Sequence, residues 1–270
     1  MSYKLSIITI NFNDAEGLRR TFRSVGNQSC QDFEYVVVDG ASRDDSLSVI
    51  QNAECHISSW ISEPDTGIYN AMNKGIRLAT GEYLLFLNSG DWFYEENVIE
   101  RVLPYLGGKD FYSGGCMRGD WHRPAPAAMS LHQISYYPLE HQATFIRRAM
   151  LVRRPYDESM RIVSDWEQMF YELVVNGATY EALPFTIANF DVTGVSSTNQ
   201  LPLEKEYYGV WEKYFSREML NKGILQKGGR LYSMTYHMLE PYHPLKTPAC
   251  ILMYYVIRYF KDLCSLKFLL

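Results

Sequence analysis

Cysteine is scarce in this chain. There are five in 270 residues, Cys30, Cys55, Cys116, Cys250 and Cys264, an odd number with no two at metal-ligand spacing. Neither a disulfide framework nor a thiolate metal cage organises the fold, and reduced thiols in a cytosolic compartment are expected. Long apolar runs are missing too: the longest, 248–257, falls well short of the roughly 18 residues a membrane-spanning helix needs. The N-terminus enters a strand-like segment at once, with no basic region followed by an apolar stretch, so no export signal is expected. Excess positive charge is also lacking. The formal net charge of −5 argues against nucleic acid as a partner, because phosphates call for a basic stripe. Internal repeats and low-complexity tracts are not found. What remains is ordinary globular composition, 47% hydrophobic and 21% charged. The length suits one large domain, or one domain with a smaller C-terminal appendage.

Strand-like and helix-like segments alternate through the first hundred residues. LSIIT at 5–9 and Ile10 form a β-branched run of the kind buried on both faces of a sheet. Leu18, Phe22 and Val25 follow at helical spacing, with Asp14 placed to start that helix. A second strand over 33–40 is followed by a short helix over 44–52 and a third strand over 56–62. Ile68, Met72, Ile76 and Ala79 mark the inner stripe of another helix, opened at Thr66-Gly67. A fourth strand over 82–88 leads to a helix over 95–106. Further on, 110–114 and 142–147 read as strands and 164–175 as a helix. Such alternation implies right-handed crossovers and a mostly parallel sheet, whose ligands bind beyond the carboxyl ends of the strands. That rule selects Asn11 and Asn13, Asp39, Glu63 and Asp65, and Asn88 and Asp91, which follow four successive strands.

These strand ends, LSIITINFN, VVVDGASRDDS and EPDTGIYNAMNKGIRLATGEYLLFLNSGDWF, resemble the family 2 glycosyltransferases with a GT-A fold. The resemblance runs from Leu5 to Phe93, resumes through His141-Gln142 and Ser164-Asp165, and thins after about Thr198. It implies an α/β, GT-A-like nucleotide-binding domain with a mostly parallel mixed sheet flanked by helices, spanning 1–200, and a helical C-terminal region over 201–270. By the resemblance Thr9, Asn11 and Asp39 line the nucleoside pocket. Asp39 would accept from the imide N–H of uracil or thymine, since a carboxylate accepts but does not donate. Asn13, Gly40, Asp65, Gly67, Lys74, Ser89, His141 and Gln142 complete the expected nucleotide-sugar site. Asn88-Ser89-Gly90-Asp91 stands where the family carries its acidic metal motif. Asn88 and Gly90 replace the usual first acids, leaving Asp91 as the carboxylate ligand for Mn²⁺ or Mg²⁺ and Asn88 able to offer an amide oxygen. Asp165 is placed as the base of inverting members, and the same residue with Ser164 also suits a helix cap. Arg147-Arg148 and Arg153-Arg154 could meet phosphates, though surface arginines need no ligand. Residues 191–197 read as a flap.

The expected activity is inverting transfer of a sugar from a UDP- or dTDP-sugar donor to a glycan acceptor. The resemblance favours a lipid-linked acceptor in bacterial surface-polysaccharide assembly, such as O-antigen, lipopolysaccharide or capsule. The alternatives are a non-catalytic sugar-nucleotide-binding protein and a sugar nucleotidyltransferase; the latter should carry a Gly-rich basic loop after the first strand, which INFNDAEG is not. From Lys246 onward the formal charge is +3 against −8 for the remainder. There Arg258, Lys261, Asp262 and Ser265 share one helical face, while Tyr259, Phe260, Leu263, Leu266 and Leu270 cover the others. Such a helix can lie at a membrane interface, placing a cytoplasmic protein at the inner face of the plasma membrane. The other reading docks it on the domain or on a second copy, as in a homodimer.

Overall fold

The computed structural model describes residues 3–53, 55–129, 134, 139–192 and 200–214. The first half follows the expected alternation: β1 (Leu5–Asn11), α1 (Ala15–Gly26), β2 (Glu34–Asp39), α2 (Ser46–Gln51), β3 (Ser59–Ser62), α3 (Ile68–Leu78) and β4 (Tyr83–Phe86). Then come β5 (Trp92–Phe93), α4 (Val98–Val102), β6 (Phe111–Arg118) and β7 (Trp121–Arg123). A 3₁₀ turn (His141–Ala143) leads into β8 (Thr144–Arg147), α5 (Arg148–Arg153) and α6 (Ser164–Phe170). A π-helical turn (Tyr171–Val175), β9 (Tyr180–Phe190) and α7 (Gln200–Tyr214) complete it. The chain divides into a compact unit of Met1–Glu206, which holds the whole sheet, and a second beginning at Tyr207. The tail over 248–270 and the flap over 193–197 lie outside the described residues.

One nine-stranded sheet runs in the order β3-β2-β1-β4-β8-β6-β9-β5, with β7 paired to β6. The β3-β2-β1-β4 block is parallel, β8 is antiparallel to both β4 and β6, and β6 runs parallel to β9. Every residue of β1 and β2 is buried, as a strand covered on both faces requires. Ile7, Val37 and Leu85 point into a core shared with Leu18, Phe22 and Val25 of α1. α3 covers the opposite face so closely that a Cβ on Gly75 would come within 2.5 Å of Ile8 Cγ2; glycine here sets the distance between helix and sheet.

The second half departs from expectation. The helix expected over 95–106 is confined to Val98–Val102, stopping ahead of Pro104, which can neither donate nor be followed back into a helix easily. The helix expected over 164–175 changes to π-helix at Tyr171. The third strand begins at Ser59 rather than at 56, and the segment from Gln142 starts as a 3₁₀ turn. The longest strand, β9, was not foreseen. Pro184 lies in its middle, and proline demotes a strand pattern because it cannot donate to the ladder. The register explains how it is accommodated: pairing with β6 jumps from Ser113↔Ala182 to Gly115↔Thr186, an irregularity that spans Pro184.

Candidate functional site

Three strands end in one row, with Asn11 opposite Asp39 and Asp39 opposite Ser62. Asp39 is the hub of that row. Its Oδ1 accepts from Asn11 Nδ2 at 2.9 Å and Ser42 Oγ at 2.6 Å. Its Oδ2 accepts from the Ser42 amide at 3.0 Å and Ser62 Oγ at 2.7 Å. Burial alone would raise this carboxyl, but the donors from Ser42, Ser62 and Asn11 outweigh it and hold Asp39 below the usual carboxylate range. Asp39 is fully buried in this arrangement, behind Asn11, Ser42 and Ser62. Asn13 fastens the same loop: its amide donates to Ser42 Oγ and its Oδ1 accepts from the Arg43 amide at 2.7 Å. Both Asn13 and Ala41 are left-handed, at φ 52° and 58°, so backbone strain collects between the two loops.

Gly40 explains how the third strand end joins them. A Cβ there would meet Asp65 Oδ2 at 2.3 Å and Phe12 Cδ2 at 3.1 Å. Asp65 and Phe12 therefore close over bare backbone. Phe12, 63% exposed, is an aromatic face at this strand-end edge that sequence reading passed over; its signal was a large apolar residue between two asparagines. Asp65 Oδ1 also accepts from the Gly67 amide, where φ of 144° favours glycine. Two expected residues are occupied elsewhere. Lys74 donates to the Pro64 carbonyl at 2.7 Å and pairs with Glu63 at 2.9 Å, which closes the ammonium on its own loop. Thr9 is fully buried and bonds the Leu87 carbonyl at 2.7 Å and the Tyr35 hydroxyl, so it sits inside the sheet rather than in the cleft.

The 88–91 turn is built from α1. Thr21 Oγ donates to the Asp91 carbonyl at 2.7 Å and accepts from the Gly90 amide at 3.1 Å. Ser89 Oγ bonds Asp14, whose Oδ1 caps α1 at the Gly17 amide. Gly90 has φ of 96°, and a Cβ on it would lie 2.7 Å from Asp191 Oδ2. The backbone therefore explains why an acid of the family motif is missing here. Restoring it as Gly90→Asp is expected to cost about 2 kcal/mol or more, from the left-handed backbone and the collision together; thermal melts check this.

Asp91 is 4% exposed and its Oδ1 accepts from the Asp191 amide at 2.8 Å. Burial pushes its carboxyl up to about 7, against the pull of His141. The folded state thus holds this proton to higher pH than the unfolded chain does. Stability contributed by the protonated acid is complete below about pH 4 and falls as pH rises toward 7. Asp91→Asn should flatten stability over that interval, by about 1.4 kcal/mol per pH unit at most. Denaturant titrations of both proteins at pH 5 and pH 7 check it.

From this turn a hydrogen-bonded chain leads to Asp165. Asn88 Nδ2 lies 3.1 Å from His141 Nε2, His141 Nδ1 lies 3.0 Å from Asp165 Oδ2, and the Tyr69 hydroxyl donates to Asp165 Oδ1 at 2.8 Å. Asp165 and His141 are each 18% exposed. Burial would raise Asp165 and lower His141; their mutual hydrogen bond and charge outweigh it, so Asp165 is lowered and His141 raised. With the Asn88 N–H facing Nε2, that nitrogen can only accept and the ring would be neutral, the form that the raised His141 disfavours. The buried Asn88 Oδ1 has no partner, and turning the amide over would place that oxygen against a protonated Nε2. Gln142, beside His141, is fully buried with neither amide atom bonded. Three of the four arginines are paired with acids: Arg147 with Glu82 and Asp110, Arg153 with Glu172, Arg154 with Glu167, while the buried Arg148 Nε has no hydrogen-bond partner.

For a divalent cation the residues at this turn fit in part. Asn88 Oδ1 is an unpartnered buried oxygen and Asp91 is a buried carboxylate with no lysine or arginine paired to it among the described residues. Both are hard oxygen donors of the kind Mg²⁺ and Mn²⁺ take alongside substrate phosphates. Among the described residues no group of three or more His, Cys, Asp or Glu could hold a metal by itself, so a cation here would need the ligand's own oxygens.

Residues 6–162 match the family described as glycosyl transferase family 2. An uncharacterised glycosyltransferase of Mycobacterium tuberculosis is 33% identical over 204 residues, 72% of this chain and 77% of its own. A PGL/p-HBAD biosynthesis glycosyltransferase of Mycobacterium bovis is 33% identical over 171 residues, 60% of this chain and 66% of its own. Among solved structures, Staphylococcus aureus TarS in complex with UDP-GlcNAc aligns at a TM-score of 0.62 and 18% identity, covering 78% of this chain and 65% of that one. The mannosyltransferase PcManGT from Pyrobaculum calidifontis, in complex with GDP-Man and Mn²⁺, aligns at 0.57 and 13% identity, covering 97% and 88%. The sheet and its helices are those of GT-A glycosyltransferases.

Proposed function

This chain belongs to glycosyl transferase family 2, and from that membership we propose that it is an inverting enzyme whose base is Asp165. The carrying observation is the chain Asn88–His141–Asp165–Tyr69, which joins the carboxylate to both donor-side strand ends. In the proposed reaction the acceptor oxygen attacks the anomeric carbon of a nucleotide-sugar. A new C–O bond forms as the bond to the diphosphate breaks, the hydroxyl proton passes to Asp165, and the nucleoside diphosphate leaves with the bonding pair. A carboxylate of low pKa suffices because the hydroxyl acidifies as its oxygen bonds. A divalent cation held by Asp91 and Asn88 would neutralise charge on the departing diphosphate.

Phe12, Asn11, Asn13, Asp39, Gly40 and Asp65 form the edge on which the donor is proposed to lie, with the Phe12 ring offered to the base. UDP- and dTDP-sugars are the proposed donors, on the argument from the imide N–H; the GDP-Man of PcManGT makes a guanine nucleotide the control. A lipid-linked glycan is the proposed acceptor, a reading that follows from the sequence resemblance to family 2 glycosyltransferases. No helix of the described residues is long and apolar enough to cross a membrane, and contact with the bilayer is assigned to 248–270. Removing the residues after Thr247 should move the protein from the membrane to the soluble fraction; an unchanged distribution would discard that assignment. The activity itself is tested by nucleotide release from a panel of UDP-, dTDP- and GDP-sugars with Mn²⁺. Binding by calorimetry without release on any acceptor would instead favour a sensor.

A further inference from the structure

A carboxylate can twist about its own bond, since such terminal torsions have broad minima. Asp165 is prevented from doing so by a donor on each oxygen, Tyr69 of α3 on Oδ1 and His141 of the turn before β8 on Oδ2. Tyr69 stands in the first turn of α3, directly after the Asp65–Gly67 loop. It is 3% exposed, its ring packs on Tyr156 at 5.6 Å between centroids, and its hydroxyl bonds Asp165 Oδ1 at 2.8 Å. Burial, followed by the charge of Asp165, raises the Tyr69 phenol well above its usual range, so it keeps the proton it donates.

α3 is bolted to the segment that carries the base. The Asn73 amide exchanges two hydrogen bonds with the Tyr156 backbone, at 2.9 and 3.0 Å. Asn70 and Asn73 both donate to Glu158. The Asp157 amide donates at 2.6 Å to Ser164 Oγ, on the residue preceding the base. On the other side His141 precedes β8, which pairs with β4 (Leu84↔Ile146), the strand leading to Asn88. Both holders are therefore fixed to elements that end at the donor edge.

We propose that Tyr69 and His141 are positioning residues that lock the plane of the Asp165 carboxylate relative to the donor edge. The proposal rests on the reading of Asp165 as the base. Neither residue touches the reacting atoms; each acts through Asp165, leaving its outward lone pairs for the acceptor hydroxyl.

The test uses the full chain with whichever donor the release panel selects. Tyr69→Phe and His141→Ala should each lower kcat about tenfold to a hundredfold, the scale of a misplaced catalytic group, and Tyr69→Phe should leave donor KM within about twofold. His141→Asn, which keeps an N–H near the Nδ1 position, should recover part of the loss. In an Asp165→Asn background the same changes should have little further effect, because there is no carboxylate left to orient. Equal losses in both backgrounds would mark a merely structural role and overturn the proposal. Proton NMR supplies a readout that needs no donor: a downfield His141 Nδ1–H resonance, lost in Asp165→Asn and shifted in Tyr69→Phe. Its absence from the unaltered protein overturns the proposal as well. An Asp165→Asn enzyme that transfers at the normal rate removes the base, and with it the role of its holders. An inert Asp165→Asn enzyme beside fully active Tyr69→Phe and His141→Ala enzymes overturns the positioning alone.

Discussion

Asp165→Asn is expected to lower transfer by about 10²- to 10⁴-fold, the usual contribution of a positioned base, while leaving the donor affinity within about twofold. The asparagine keeps the shape and can still accept from Tyr69 through its oxygen. What it loses is the negative charge that raises His141 and the capacity to take a proton. Because the side chain is held between the Tyr69 hydroxyl and the His141 ring, the exchange should not disturb the surrounding backbone. Calorimetry with UDP, the melting temperature and the rate of nucleotide release separate these effects. Unimpaired transfer in the variant would end the assignment of Asp165, and a parallel loss of donor binding would move the residue to the donor site.

The second large effect falls on stability. Arg154 holds Glu167 with two hydrogen bonds from one guanidinium nitrogen, at 2.6 and 2.7 Å, and Glu167 is 1% exposed. Arg154→Met removes the cation while keeping an apolar stem, so a buried carboxylate loses the guanidinium that bonds both of its oxygens. A loss of about 3–5 kcal/mol is expected, the range for one partner removed from a buried pair. Arg154→Met combined with Glu167→Gln should recover much of that loss, since the cost of holding a charge away from water outweighs the missing attraction. Denaturant midpoints for the single and double variants decide it. Glu167 lies two residues beyond Asp165 on α6, so the single variant should also lose transfer before it loses fold, as the start of that helix loosens.

The first half of the chain was legible because each strand there is a short β-branched run and each helix shows one apolar stripe. Val36, Val37 and Val38 can only be a strand covered on both faces, and the Asp39-Gly40 pair that follows marks its end. The edge where ligand residues collect came from the same alternation. What single residues do at that edge was less legible. Nothing in the sequence shows that Thr9 turns inward to the Leu87 carbonyl or that Lys74 closes on Pro64, because which side of a pleat faces a cleft depends on neighbours far along the chain. Ser42 and Ser62 went unnoticed as donors to Asp39 for the same reason, although a serine three residues after an aspartate is a recognisable turn signal. Tyr69 had no local mark at all: its partner lies 96 positions away. In the second half Pro184 masked β9; earlier in the chain, the departure at Gly90 from the family motif carried no sign of its backbone angle of 96°, which glycine adopts more readily than an acid.

β9 also bears on how the molecule comes together. β5 follows the 88–91 turn immediately, yet among the described residues the only strand it pairs with is β9, Trp92 facing Asn189 and Phe93 facing Ala188, and the Asp91 carboxylate receives the amide of Asp191 just beyond. A ribosome that has released the first hundred residues has therefore supplied every strand of the parallel block but not the clasp that seats Asp91. Such distant pairings carry a loop-closure cost and slow the search for the native state. A fragment ending ahead of Tyr180 is expected to keep the early helices and strands while its 88–91 turn exchanges amide protons freely with solvent.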